Sequence, residues 1–242
     1  MSYEILASFY DSLTQDVRYD EYASYLDELI KKYNKDACIV LDAACGTGSI
    51  TRRLSRLGYD MIGVDVSEEM LSVAKEKSDE SILYLCQDLC ELDLFGTVDV
   101  AVSTLDSINH IEKESLTDVF KKISLFMNKG GIFIFDVNSL YKHQCVLSNN
   151  TFVYDEENVY CVWQNFYNED DLSIDIELDL FEKKDGCYVR YFESFSEYFY
   201  DDDFLKKLLA ENGFELVSTF EALTSESVKE ESERIIYVAR KK

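Results

Sequence analysis

Three aspartates, Asp42, Asp65 and Asp88, carry the clearest chemistry in this sequence. Each closes an apolar run: "CIVLDA", "DMIGVD" and "ILYLCQD". The first run leads directly into "ACGTGSIT", where Gly46 and Gly48 permit a tight turn and a close backbone approach to a ligand. Carboxylates accept hydrogen bonds from hydroxyls, amines and ammonium groups. A helix start just after the glycines favours an anionic group. The combination suits a nucleotide-like molecule carrying hydroxyls, an amine and charges of both signs. Further along, "STLDSINHI" offers His110 and Asp106 as proton-handling candidates, and "GIFIFDVN" ends in Asp136 and Asn138, a carboxylate and an amide able to face a metal ion.

The elements that must position these residues follow from periodicity. Tyr22, Tyr25, Leu26, Leu29, Ile30 and Tyr33 recur at helical spacing. Short apolar runs then alternate with helical patterns: strands at "CIVLDA", "DMIGVD", "ILYLCQD", "TVDVAVS" and "GIFIFDV". Ser67 is a predicted N-cap, with Glu68 and Glu69 suited to the positive end of the helix that follows. Near-continuous apolar strands between helices indicate a parallel sheet covered on both faces. From Thr151 to Tyr200 the pattern changes to two-residue alternation, with Leu172, Ile174, Ile176, Leu178 and Leu180 on one side. That is an antiparallel meander inserted in an α/β domain. A helix from Asp202 to Asn212 and strands at "FELVSTF" and "RIIYVAR" complete the chain.

Composition narrows the function. In 242 residues, 24 Lys and Arg face 48 Asp and Glu, a formal net charge of −24. Nucleic-acid backbones and anionic lipid surfaces are therefore poor partners. Seven scattered cysteines without a CxxC pair, and only two histidines, argue against zinc and for a reducing cytoplasm. The N-terminus lacks the features of a signal peptide, and no apolar run approaches a membrane span. We expect a cytoplasmic protein, monomer or homodimer, with a small-molecule partner.

Two cofactors compete for the glycine turn. A dinucleotide fingerprint wants G-x-G-x-x-G, but Thr51 holds the third glycine place, and Asp42 and Asp88 would have no role. S-adenosylmethionine gives all three acids a partner. Asp65 suits the ribose hydroxyls, Asp88 the adenine amine with the Leu89 N–H on the ring, and Asp42 the cationic amino-acid end. The stretches Val40–Thr51, "GVDVS", "CQDL", "TVDVAVSTLDSINHI" and "KGGIFIFD" resemble the class I S-adenosylmethionine-dependent methyltransferases, with Ala44 in the first glycine place. "LASFYDSL" is similar to the lid start of stand-alone bacterial members, where a tyrosine matching Tyr10 faces the cofactor.

The resemblance implies a doubly wound, Rossmann-like, mostly parallel seven-stranded sheet with its last strand antiparallel, and an inserted antiparallel β cap. It divides the chain into a helical lid at 1–36, a core at 37–138 and 201–242, and a cap at 139–200. It adds Tyr10, Ala44, Gly46, Gly48, Val66, Met70 and Leu105 to Asp42, Asp65, Asp88 and Leu89 as the cofactor surroundings. The [Asn/Asp]-Pro-Pro-aromatic motif of amide and base methylases is absent, and the chain has no proline. A small acceptor under a tyrosine-rich cap is expected, methylated by in-line displacement. RNA or protein methylation, or cofactor binding without turnover, are the alternatives. His110 and Asp106 are the candidate catalytic residues. Tyr19 is a further candidate for the pocket wall, and His143 is expected at the surface. The metal-dependent members carry an adjacent Asp-Asn pair, which Val137 interrupts here, so no metal is expected.

Overall fold

A computed structural model of the chain describes residues 6–242. Residues 1–5, the first part of the expected lid and N-terminus, lie outside the described residues. The elements run α1 (Leu6–Leu13), α2 (Tyr19–Tyr33), β1 (Ile39–Ala43), α3 (Ser49–Arg56), β2 (Asp60–Asp65), α4 (Glu68–Glu76), β3 (Leu83–Cys86), β4 (Val98–Ser103), α5 (Lys113–Leu125) and β5 (Met127–Asn138). Then come β6 (Thr151–Asp155), β7 (Val159–Asn168), β8 (Ser173–Lys184), β9 (Cys187–Tyr198), α6 (Asp202–Glu211), β10 (Phe214–Glu221) and β11 (Arg234–Lys241).

Seven strands form one sheet in the order β10-β11-β5-β4-β1-β2-β3. Only β11 opposes its neighbours, pairing antiparallel with both β5 and β10, as expected for the last strand. β1 pairs with β2 on one side and β4 on the other, so the strand order reverses at β1 and opens a crevice beyond the carboxyl ends. Strand alternation buries both faces. Leu41, Ala101 and Phe133 pack under α5 and α6, while Val40, Val100, Ile132 and Ile134 meet α2 and α3. Ser67 caps α4 as predicted, its hydroxyl accepting from the Met70 N–H at 3.1 Å.

The second sheet has the order β6-β7-β8-β9, antiparallel throughout, and forms the β cap. Ile174, Ile176, Leu178 and Leu180 are fully buried and pack toward α1, which contributes Leu6, Phe9 and Leu13. Leu172 departs from the expected strand face. It precedes β8 in a left-handed turn at φ 58°. No helix among the described residues is long and apolar enough to cross a membrane.

Candidate active site

A cavity of about 610 Å³ lies where α1, the carboxyl ends of β1, β2 and β4, and the cap converge. Its two halves are built differently. On the first, Asp65 at the end of β2 accepts from the Gly46 N–H at 2.7 Å and the Ser67 N–H at 2.9 Å, one on each oxygen. Burial raises its pKa, while these backbone donors pull it back. The carboxylate's four lone-pair sites exceed its backbone donors, so it keeps acceptor capacity where it lines the cavity. Asp88 receives the Cys90 N–H at 2.8 Å on one oxygen, and beside it Leu89, Val66 and Met70 line the wall. Tyr10 and Leu105 line it as well. Gly46 has φ 53°, and a Cβ placed on it meets nothing within 4 Å. The backbone is thereby bare where it faces the cavity. Ala44, in the first glycine place, lines the cavity at φ 63°, a left-handed conformation that costs an alanine roughly 1–2 kcal/mol.

Asp42 and Gly48 lie outside the cavity lining. Asp42 is buried beneath the turn, where the Thr51 hydroxyl donates to it at 2.5 Å. Burial, reinforced by the nearby Asp65 charge, pushes its pKa up to about 7. Thr51, which breaks the dinucleotide fingerprint, thus has a partner of its own. A Cβ on Gly48 would stand 2.5 Å from the Tyr84 hydroxyl oxygen and 3.1 Å from the Ala74 Cβ, so glycine serves packing there. Tyr19 is also outside the cavity; its hydroxyl donates to Thr14 at 2.9 Å.

The second half is a polar network across β4, β5, β9 and β11. Buried Asp136 accepts from Arg234 at 2.6 Å, from the Leu105 and Asp106 N–H groups at 2.7 Å each, and from the Tyr22 hydroxyl. Those four donors use all its lone-pair sites, leaving none for a metal ion. Arg234 also reaches Asp106 with both terminal nitrogens at 3.1 Å. Asn138 donates through Nδ2 to Asp106 at 3.0 Å and to Glu197 at 2.8 Å. Asn109 ties the cap to the core, accepting from the Asn138 N–H at 2.9 Å and donating to the Tyr198 carbonyl at 2.8 Å.

Glu197, on β9, is 3% exposed. Burial, then the charge of Asp106, raises its pKa to about 7. His110 sits on a 3₁₀ turn (Ser107–His110) and lines the cavity, its ring edge-on to Phe195 at 5.3 Å. One side-chain nitrogen or oxygen from each of Asp106, His110 and Glu197 falls within 4.8 Å of the other two. Trp163, Phe195 and Tyr154 of the cap close the cavity around them. His143 corrects the sequence reading. It is fully buried on a π-helical stretch (Lys142–Leu147), with its pKa lowered by burial to about 4, and is neutral at pH 7.

A methyltransferase-domain family matches residues 40–131, which span β1 to the start of β5. A protein of Geobacillus sp. (strain WCH70) named as a methyltransferase is 32% identical over 247 residues, covering 100% of both chains. The Bacillus subtilis (strain 168) protein YqeM, also named as a methyltransferase, is 32% identical over 100% of this chain and 98% of its own. The crystal structure of an S-adenosylmethionine-dependent methyltransferase from Clostridium acetobutylicum superposes with a TM-score of 0.87 at 31% identity, covering 99% of this chain and 98% of that one. The chain belongs to the S-adenosylmethionine-dependent methyltransferases. Streptomyces venezuelae DesVI, at 18% identity and a TM-score of 0.81, shares the fold.

This methyltransferase uses S-adenosylmethionine as its methyl donor, and the first half of the cavity fits that molecule. Open carboxylate lone pairs on Asp65 and Asp88 can accept from hydroxyls and an amine, and the bare Gly46 backbone admits close approach. Sequence reasoning missed Arg234, Glu197, Trp163 and Phe195 as cavity residues, and Asn109 as the tie between cap and core. One signal for Glu197 existed. Its odd-numbered place on β9 shares the parity of Tyr191 and Phe195, and it pairs with buried Ile174. An acid on the apolar face of an amphipathic strand is costly without a role.

Proposed function

We propose that this methyltransferase acts on a small molecule held beneath the β cap, by in-line displacement. The observation that carries this reading is the acceptor half of the cavity. Core residues Asp106 and His110 meet cap residues Glu197, Trp163 and Phe195 in one enclosure. A polymer would need an open, basic track, whereas the chain carries a net charge of −24. The shared fold with the sugar N-methyltransferase KedS8, at a TM-score of 0.80 and 17% identity, is compatible with a cap of this kind.

In this reading Asp65 accepts from the ribose hydroxyls, Asp88 from the adenine amine, and Leu89 donates to the ring. Tyr10, Ala44, Gly46, Val66, Met70 and Leu105 form the surrounding wall. Asp42 and Gly48 act from beneath, holding the turn through Thr51 and the α4 packing. Of the expected lid at 1–36, α1 serves that role over the cavity while α2 packs on the sheet, and 139–200 serves as the acceptor cap on a core of 37–138 and 201–242. The bound donor supplies a methyl group already activated on a sulfonium. The protein's task is orientation and exclusion of water, and oriented encounter contributes as much as ~7–11 kcal/mol. Asp106, engaged by Arg234 and Asn138, positions its neighbours, while His110 faces the acceptor space.

The test supplies a tritiated methyl donor to total RNA, protein lysate and a small-molecule extract in parallel. Label is expected in the small-molecule fraction. Label in RNA or protein, with none in small molecules, would overturn the proposal.

A further inference from the structure

We infer, resting on the small-molecule reading above, that the acceptor is an amine arriving as its ammonium cation, and that Glu197 takes the proton it must shed before attack. The acceptor half of the cavity is short of positive charge. Asp106, Asp136 and Glu197 gather around a single guanidinium, Arg234, whose hydrogen bonds go to the first two. Among the described residues no Lys or Arg nitrogen lies within 4.0 Å of Glu197. Its Oε2 accepts from Asn138 at 2.8 Å.

A second observation points the same way. His143 is fully buried, and its Nε2 stands 3.8 Å from Glu197 Oε2. Burial keeps it neutral, so it leaves the carboxylate's charge uncompensated. Trp163, Phe195 and Tyr154 wall the same space, and aromatic faces attract cations. A monocation donating N–H groups would fill the place these groups leave open. A divalent ion fits less well, because Asn138 and Arg234 already point N–H donors at the carboxylates.

The chemistry balances. The ammonium N–H bond breaks and its proton joins a Glu197 oxygen, leaving the nitrogen lone pair free. That pair forms the N–CH3 bond as the methyl–sulfur bond breaks, with the electrons of the broken bond staying on sulfur. Glu197 then returns its proton to solvent. A carboxylate whose pKa is raised to about 7 is matched to this task near neutral pH. Asp106, His110, Arg234, His143 and Asn138 are the charged, titratable and polar groups that face it. An aliphatic hydroxyl has no comparably acidic proton to give such a group.

The experiment labels a small-molecule extract with the protein and a tritiated methyl donor, separates the product chromatographically from the unreacted donor, itself a cation, and then passes the product over a cation exchanger at pH 5. Retained label is expected. With that acceptor, Glu197→Gln lowers kcat/KM about 100-fold while S-adenosylhomocysteine binding stays within about twofold. Wild-type kcat/KM rises as pH passes through about 7, and this limb disappears in the variant. Unretained small-molecule label, or an unchanged pH profile in Glu197→Gln, overturns the amine inference alone. Label confined to RNA or protein overturns the small-molecule reading with it. If no fraction is labelled, benzylammonium is titrated into the S-adenosylhomocysteine complex. Binding at least about tenfold weaker to Glu197→Gln supports the inference; equal binding or none overturns it. Micromolar Mn2+ binding that Glu197→Gln abolishes would overturn it in favour of a metal.

Discussion

The two halves of the cavity solve the same problem, holding a polar molecule away from water, by opposite means. The cofactor half is built from short, contiguous stretches. Asp65 bonds Gly46 and Ser67, 19 and 2 residues away. The acceptor half is built across the chain: Arg234 meets Asp106 over 128 residues, and Asn138 meets Glu197 over 59. Local assembly leaves carboxylate lone pairs open for a ligand. Long-range assembly fills them, as at Asp136, and spends charge on holding the cap to the core. The methyl donor is served by the local design, whereas the acceptor pocket takes its shape from the inserted sheet.

The largest effect expected from this contrast is on the long-range side. Arg234→Met leaves Asp136 buried without its cation, and removing one partner of a buried pair costs about 3–5 kcal/mol. Urea melts are expected to show this loss, and the double variant with Asp136→Asn to recover part of it. A single variant within about 0.5 kcal/mol of wild type would mean that the network does not hold the halves together.

Next comes a pH effect beneath the cofactor turn. The Asp42 pKa is raised from 3.8 to about 7 in the folded protein, so the folded chain binds more protons than the unfolded chain between those values. Its contribution is therefore present in full below pH 3.8 and lost as pH rises toward 7, by at most about 1.4 kcal/mol per unit. Glu197 acts in the same direction from the acceptor half. Asp42→Asn is expected to flatten the decline in stability across this window, and Glu197→Gln to flatten a separate share. Denaturant titrations from pH 4 to 8 check both, and a slope unchanged by Asp42→Asn would remove the first.

The smallest effect expected is on cofactor affinity. Asp65→Ala removes hydrogen bonds to a charged acceptor, worth about 1.5–3 kcal/mol, which is roughly 10- to 150-fold in Kd. Calorimetry with S-adenosylhomocysteine reads it directly. Asp65→Ala is expected to leave amine binding in the acceptor half unchanged, whereas Glu197→Gln does the reverse. If each variant weakened both ligands equally, the two halves would be one unit and the comparison would fail.

The amino-acid sequence by itself determined the alternation of strands and helices, the reversal of rhythm at the cap, the Ser67 cap and the acids at the strand ends. These are read within a few residues because periodicity and turn chemistry are local. It also marked Asp42 and Gly48 as cofactor contacts, while their side-chain and Cβ environments lie one layer below the cavity. Spacing placed them near the turn, but burial depth depends on what packs above. Only the tertiary structure decided that His143 is buried, that Arg234 closes on Asp106 and Asp136, and that Glu197 faces the cavity. The physical reason is register. β11 meets β5, and β9 meets β8, in a pairing that a one-residue slip would invert, and no local pattern in either strand reveals its partner.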